Sequence, residues 1–263
     1  MQLQICDSVD EAAGATAALV AEQLRSKPTS VLGLPTGQTA LAIYEALVGL
    51  HRAGRTDFSR VHTVNLDEFV GLPSTDSRSF RGFMERHLFR HINVPTDHVH
   101  FLDGDALDTE RECARFESVI ASLGGIDLLL LGVGTNGHIG FNEPDHDLQL
   151  RTHRVRLRLE TRRANAGSFG GRVSEVPREA LSMGMATILQ AASIVLVALG
   201  RSKAPAVASA FSGRISTDKP VSFLQLHPNV TAIVDRAAAA NLPRALAESN
   251  PRQHASGSSR RRR

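Results

Sequence analysis

The chain has 263 residues, 42% of them hydrophobic and 22% charged, with two cysteines and a formal net charge of +3; it can bury a large core without covalent staples. Cys6 and Cys113 stand far apart with no CxxC, which excludes a disulfide scaffold or a cysteine zinc site, and no apolar run approaches the roughly 20 residues a membrane span needs. Four positive charges are the arginines at 260–263, so the rest of the chain is slightly acidic, and with no Trp and one Tyr neither nucleic acid nor a membrane is an expected partner.

Met1-Gln2-Leu3-Gln4 lacks the charged start and apolar stretch of a signal peptide, so a cytoplasmic protein is expected. Residues 3–6 read as a strand. Ser8, with Glu11 three residues on, makes a capping box for a helix over 12–24. A second strand spans 30–34 and a second helix 39–50, with Leu41, Tyr44, Leu47 and Leu50 close to helical spacing. Strand 61–66, helix 80–89, strand 99–102 and helix 110–123 follow. Residues 126–131 are a continuously apolar strand. Residues 155–159 alternate apolar side chains with arginine, which leaves one face wet. A helix over 178–191, a strand over 194–199, a helix over 202–211 and a strand over 230–234 complete the pattern.

Apolar strands separated by helices imply one α/β domain over 1–250: an open, mostly parallel, Rossmann-like sheet with helices on both faces. Residues 251–263, small and polar and then arginine-rich, read as a disordered tail. In such sheets ligands bind at the carboxyl ends of the strands, and four segments there carry chemistry.

Pro35-Thr36-Gly37-Gln38-Thr39 leaves a strand and opens a helix. Its amides face the positive end of the helix dipole, a ready anion site. Gly37 allows close approach, and Thr36 and Thr39 add hydroxyl donors; no Gly-Lys-Ser/Thr follows, so it is not a Walker loop. Asp67 and Glu68 end the third strand, where a carboxylate can act as a base or simply be hydrated. Gly132 to Gly137 matches GxGxxG, with Glu160 at a tempting distance, yet the residues that follow hold no helical period and Pro144 breaks them. The loop instead offers Asn136, His138 and Glu143: a histidine that titrates near neutrality and two groups to orient it. Lys203, one of three lysines against 27 arginines, opens a helix after another strand and suits a phosphate. His87 and His91 lack the HExxH context and read as a solvated face. No GxSxG occurs.

Taken together, Leu-Gly-Leu-Pro-Thr-Gly (32–37), Asn-Leu-Asp-Glu-Phe-Val-Gly-Leu-Pro (65–73), Gly-His-Ile-Gly-Phe-Asn-Glu-Pro (137–144), Leu-Gly-Arg-Ser-Lys-Ala (199–204) and Leu-Gln-Leu-His-Pro (224–228) resemble the glucosamine-6-phosphate deaminase family, in order over about residues 1–240. The resemblance implies conversion of D-glucosamine 6-phosphate to D-fructose 6-phosphate and ammonia, with neither cofactor nor metal. It implies that His138 opens the pyranose, supported by Asn136 and Glu143. Asp67 moves the C2 proton to C1, and Thr36, Gly37, Gln38, Thr39 and Lys203 hold the phosphate.

The chain departs from the pattern at Gly167, where the family carries an arginine on the phosphate; Arg162, Arg163 and Arg172 are the candidate substitutes. The residues of an amino-sugar allosteric site in some members also fail to match over 146–156, so no such activation is expected. Family members include monomers and hexamers, which leaves a homo-oligomer open. Two alternatives stand beside the deaminase: a lactonase or other amino-sugar-phosphate enzyme on the same fold, and a non-catalytic sugar-phosphate sensor.

Overall fold

A computed structural model describes residues 1–248. The tail expected at 251–263 lies outside the described residues. In chain order the elements are β1 (Gln2–Cys6), α1 (Val9–Ser26), β2 (Val31–Leu34), α2 (Gln38–Arg52), β3 (His62–Asn65), β4 (Asp67–Phe69), α3 (Phe80–His87), β5 (Val99–His100), α4 (Thr109–Ser122), β6 (Leu128–Gly132), β7 (His153–Arg156), α5 (Leu159–Asn165), β8 (Glu179–Ser182), α6 (Met185–Leu189), β9 (Ile194–Ala198), α7 (Ala204–Ala210), β10 (Val230–Asp235) and α8 (Arg244–Glu248). Ser8 caps α1 as expected: its hydroxyl accepts the Glu11 amide, and Glu11 reaches back to the amide of Asp7.

Seven parallel strands run in the order β1-β10-β9-β6-β2-β3-β5. Alternate residues of this sheet feed separate cores. Leu128 and Leu130 of β6 join α1 and α2 on one face; Leu129 and Leu131 join α4, α6 and α7 on the other. That two-sided burial is why β6 reads as an unbroken apolar run. From β2 the chain steps outward to β3 and β5, and from β6 it steps the other way to β9 and β10. The order reverses between β2 and β6, and a crevice opens at the carboxyl ends of strands at such a point.

A smaller antiparallel sheet, β4-β8-β7, adds to the expected architecture. It corrects two local expectations. The third strand stops at Asn65, and the chain then turns so that Asp67–Phe69 pairs with β8. The helix expected over 178–191 is strand β8 followed by the short α6. Ala180 and Leu181 favour a helix in isolation, but β8 lies between two partners and both residues are fully buried, so tertiary pairing overrides propensity. The surface helix α5, which has almost no apolar period, was not anticipated. The strand expected over 155–159 is β7 at His153–Arg156, because Leu159 already opens α5; its wet face is carried by Arg154 and Arg156, both exposed. Phe69, Phe80, Phe141 and Phe169 form a third apolar cluster between the small sheet and α3. Among the described residues no helix is long and apolar enough to cross a membrane.

Candidate active site

A cleft of about 340 Å³ opens at the reversal between β2 and β6. The turn after β2 supplies Thr36, Gly37, Gln38 and Thr39 to it; Asp67 comes from β4, Asn136 and His138 from the loop after β6, and Lys203 from the turn after β9. Glu143 stands one layer behind and does not line the cleft. The structure therefore brings together Thr36, Gly37, Gln38, Thr39, Asp67, Asn136, His138 and Lys203 from four separate segments, with Glu143 behind His138.

Gly37 is the N-cap of α2 with φ +101°, a conformation that favours glycine. The first amides of α2 are presented there. The buried Tyr44 phenol donates to the Pro35 carbonyl and pins the turn. Across the cleft, Gly200 has φ +87° and donates its amide to the Asp235 carboxylate at 2.9 Å, which sets the turn bearing Lys203. Burial lowers the pKa of the Lys203 ammonium. A phosphate between these two turns would meet helix amides on one side and a cation on the other.

Asp67 is 8% exposed. Burial, and then the neighbouring Glu68 charge, push its carboxyl up to about 8. Such a group is a far stronger base than an ordinary aspartate, which suits abstraction of a proton from carbon.

The loop after β6 is built around its glycines. A Cβ at Gly134 would lie 2.2 Å from the His138 ring, so only glycine lets the imidazole fold back over the loop. Asn136 accepts the His138 amide at 3.1 Å and donates to Glu143 Oε2 at 2.8 Å. His138 Nδ1 lies 3.4 Å from the same carboxylate oxygen, a charge contact longer than a good hydrogen bond. The Thr161 hydroxyl on α5 donates to the other oxygen. Burial opposes the Glu143 charge, but His138, Thr161 and Asn136 prevail and draw its carboxyl down to about 2. Glu143 is thus an anion behind the imidazole, placed to fix the orientation of the ring. The loop contains no helix, so its GxGxxG match lacks the context of a dinucleotide site.

Sequence reasoning missed α5, which contributes Glu160, Thr161, Ala164 and Asn165 to the cleft wall, and it missed Phe80 and Phe141. Phe141 lies within the 137–144 motif and Glu160 enters the sequence reading only through its distance from the glycine loop; the others lie in no motif, and only the tertiary fold brings all of them here. Gly167 is exposed, with nothing within 4 Å of a Cβ placed there. Of its candidate substitutes, Arg162 is spent on the carbonyls of Val173 and Val176, and Arg172 pairs with Glu175; Arg163 is exposed beside Ala164. Among the described residues, no group of three His, Cys, Asp or Glu side chains could hold a metal ion.

Fold and cleft together define an open α/β protein with its pocket at a sheet reversal. Residues 6–233 match the family described as glucosamine-6-phosphate isomerases/6-phosphogluconolactonase. A glucosamine-6-phosphate deaminase of Geobacillus sp. (strain WCH70) is 45% identical over 92% of this chain and 96% of that one. Glucosamine-6-phosphate deaminase 2 of Bacillus subtilis (strain 168) is 44% identical over 92% and 98%. A solved structure described as a monomeric glucosamine-6-phosphate deaminase superposes with a TM-score of 0.89 at 42% identity, covering 92% of this chain and all of that one. The chain belongs to the glucosamine-6-phosphate isomerase/6-phosphogluconolactonase family. The 6-phosphogluconolactonase from Trypanosoma cruzi, at 18% identity and a TM-score of 0.72, shares the fold.

Proposed function

We propose that the protein converts D-glucosamine 6-phosphate and water to D-fructose 6-phosphate and ammonia. The observation that carries this reading is the meeting of Asp67 and His138, from different elements, in one cleft with the Thr36–Thr39 turn and Lys203. The relatives named as deaminases, aligned over nine-tenths of the chain, support it. The turn amides and Lys203 hold the phosphate and so orient C2 against Asp67. His138 moves the proton between the ring oxygen and the C1 hydroxyl, which opens the pyranose; Glu143 and Asn136 hold the imidazole for that step. Asp67 takes the proton from C2 and returns it to C1, which leaves an imine at C2. Water adds to that carbon and nitrogen leaves as ammonia. The likeness to a deaminase described as monomeric supports a single chain as the working unit.

Ammonia release by the purified protein from glucosamine 6-phosphate, run beside galactosamine 6-phosphate and beside hydrolysis of 6-phosphogluconolactone, tests the reading. Turnover of the first substrate with ammonia release is the expected result; hydrolysis of the lactone alone would overturn it.

Two substitutions probe the wall of the cleft. Gly134→Ala should leave the fold intact, because the displaced group is one side chain, and should lower kcat about 10²-fold by pushing the His138 ring out of place. Circular dichroism and kcat together check this. A Cβ at Gly167 meets nothing within 4 Å, and Gly167→Arg would restore the arginine that the resemblance places on the phosphate, a charge-assisted partner. A KM about tenfold lower with kcat nearly unchanged is expected, since a bond to a charged group is worth ~1.5–3 kcal/mol. An unchanged KM would place the phosphate elsewhere.

A further inference from the structure

Asp67 and Glu68 are consecutive residues of β4, so their side chains leave opposite faces of the strand. Asp67 meets the cleft. Glu68 turns to α3, where its Oε1 accepts the amides of Phe69 and Phe80, each at 2.9 Å, and its Oε2 accepts the amide of Arg81 at 3.0 Å. The residue is only 2% exposed. It thereby satisfies helix amides that have no partner within α3 and ties the β4 backbone to that helix. Phe80, the first residue of α3, packs 4.4 Å from Phe69 and forms part of the cleft wall. Gly104 closes the strand from another side, since a Cβ there would fall 2.1 Å from the Phe69 carbonyl and 3.2 Å from Glu68 Cγ. The strand end that carries Asp67 is held by these contacts.

We propose that Glu68 is a positioning residue for the reaction: bonded to the first amides of α3, its carboxylate fixes the β4 backbone and sets a negative charge behind Asp67, which governs where that base stands and over what pH it works. The inference rests on reading Asp67 as the base at C2. Arg81 and Asp103 border Glu68 on its own side. His138, Glu160 and Lys203 share the cleft with Asp67, and Tyr44 of α2 feels its charge. Burial raises Glu68 to about 7, while the three amides and Arg81 oppose the rise and favour its ionised form.

Glu68→Gln and Glu68→Asp separate placement from charge. Gln removes the charge and offers an amide group to a set of donors. Its kcat should fall about 10²-fold, KM should stay within a few-fold, and the acid limb of kcat/KM should move to lower pH by roughly one unit. Asp keeps the charge but falls one methylene short, so kcat falls while KM and the acid limb stay in place. Wild-type kcat in both variants, or an unmoved acid limb in Glu68→Gln, overturns the proposal. Should Glu68→Gln fail to fold, Glu68→Asp decides: lowered kcat with unmoved KM and limb supports it, and wild-type kcat or a raised KM sinks it. Asp67→Asn run in parallel distinguishes the two readings. A fully active Asp67→Asn removes the base assignment itself, whereas an inactive one beside wild-type Glu68 variants removes only the role of Glu68.

Discussion

Asp67→Asn should cost ammonia release about 10²–10⁴-fold, the usual worth of a positioned acid–base group, while calorimetry finds the sugar phosphate still bound. Asn preserves shape but cannot take a proton from C2, and the phosphate contacts lie on other segments. The wild-type pH profile carries the same signature. With the carboxyl held at about 8, kcat/KM should fall as pH drops below that value and the base becomes protonated. The stability of the variant runs opposite to its activity. The folded carboxyl keeps a proton that the unfolded chain releases above 3.8, so its contribution to stability is full below that pH and lost as pH rises to about 8. Asn escapes this loss. Its melting temperature should exceed that of the wild type near neutrality, and the gap should close toward pH 4. Wild-type turnover in this variant would contradict the assignment.

His138→Gln is expected to lower kcat about 10²-fold. The loss should be smaller than for Asp67→Asn, because a pyranose also opens slowly in water. Glu143, held at about 2, stays charged across the neutral range and adds no limb there. Full activity in His138→Gln would remove this residue from ring opening.

Much of the fold was legible because its signals are local. The runs 30–34, 126–131 and 194–199 are apolar on both faces, so their places as central strands follow from composition. The glycines at 37 and 134 announce turns that side chains could not make or share. β8 escapes a local reading because Ala180 and Leu181 carry no strand signature of their own; what fixes them is pairing with β4 and β7, both distant in sequence. Asp67 and Glu68 were visible as two acids, but only the departure of β4 from the large sheet shows that one meets the cleft and the other caps α3. Thr161 was silent for the same reason: its contact with Glu143 spans 18 residues and two elements.

The alternation along β6 also bears on tolerance to insertion and deletion. Removing one residue from Leu128–Leu131 would exchange which leucines face α1 and which face α4, since the pleat has a period of two. The downstream loop would start half a pleat out of phase and carry His138 toward the wrong side of the sheet. Natural variation in length should therefore be confined to the exposed connections, such as the stretch around Leu107, and be absent from this strand.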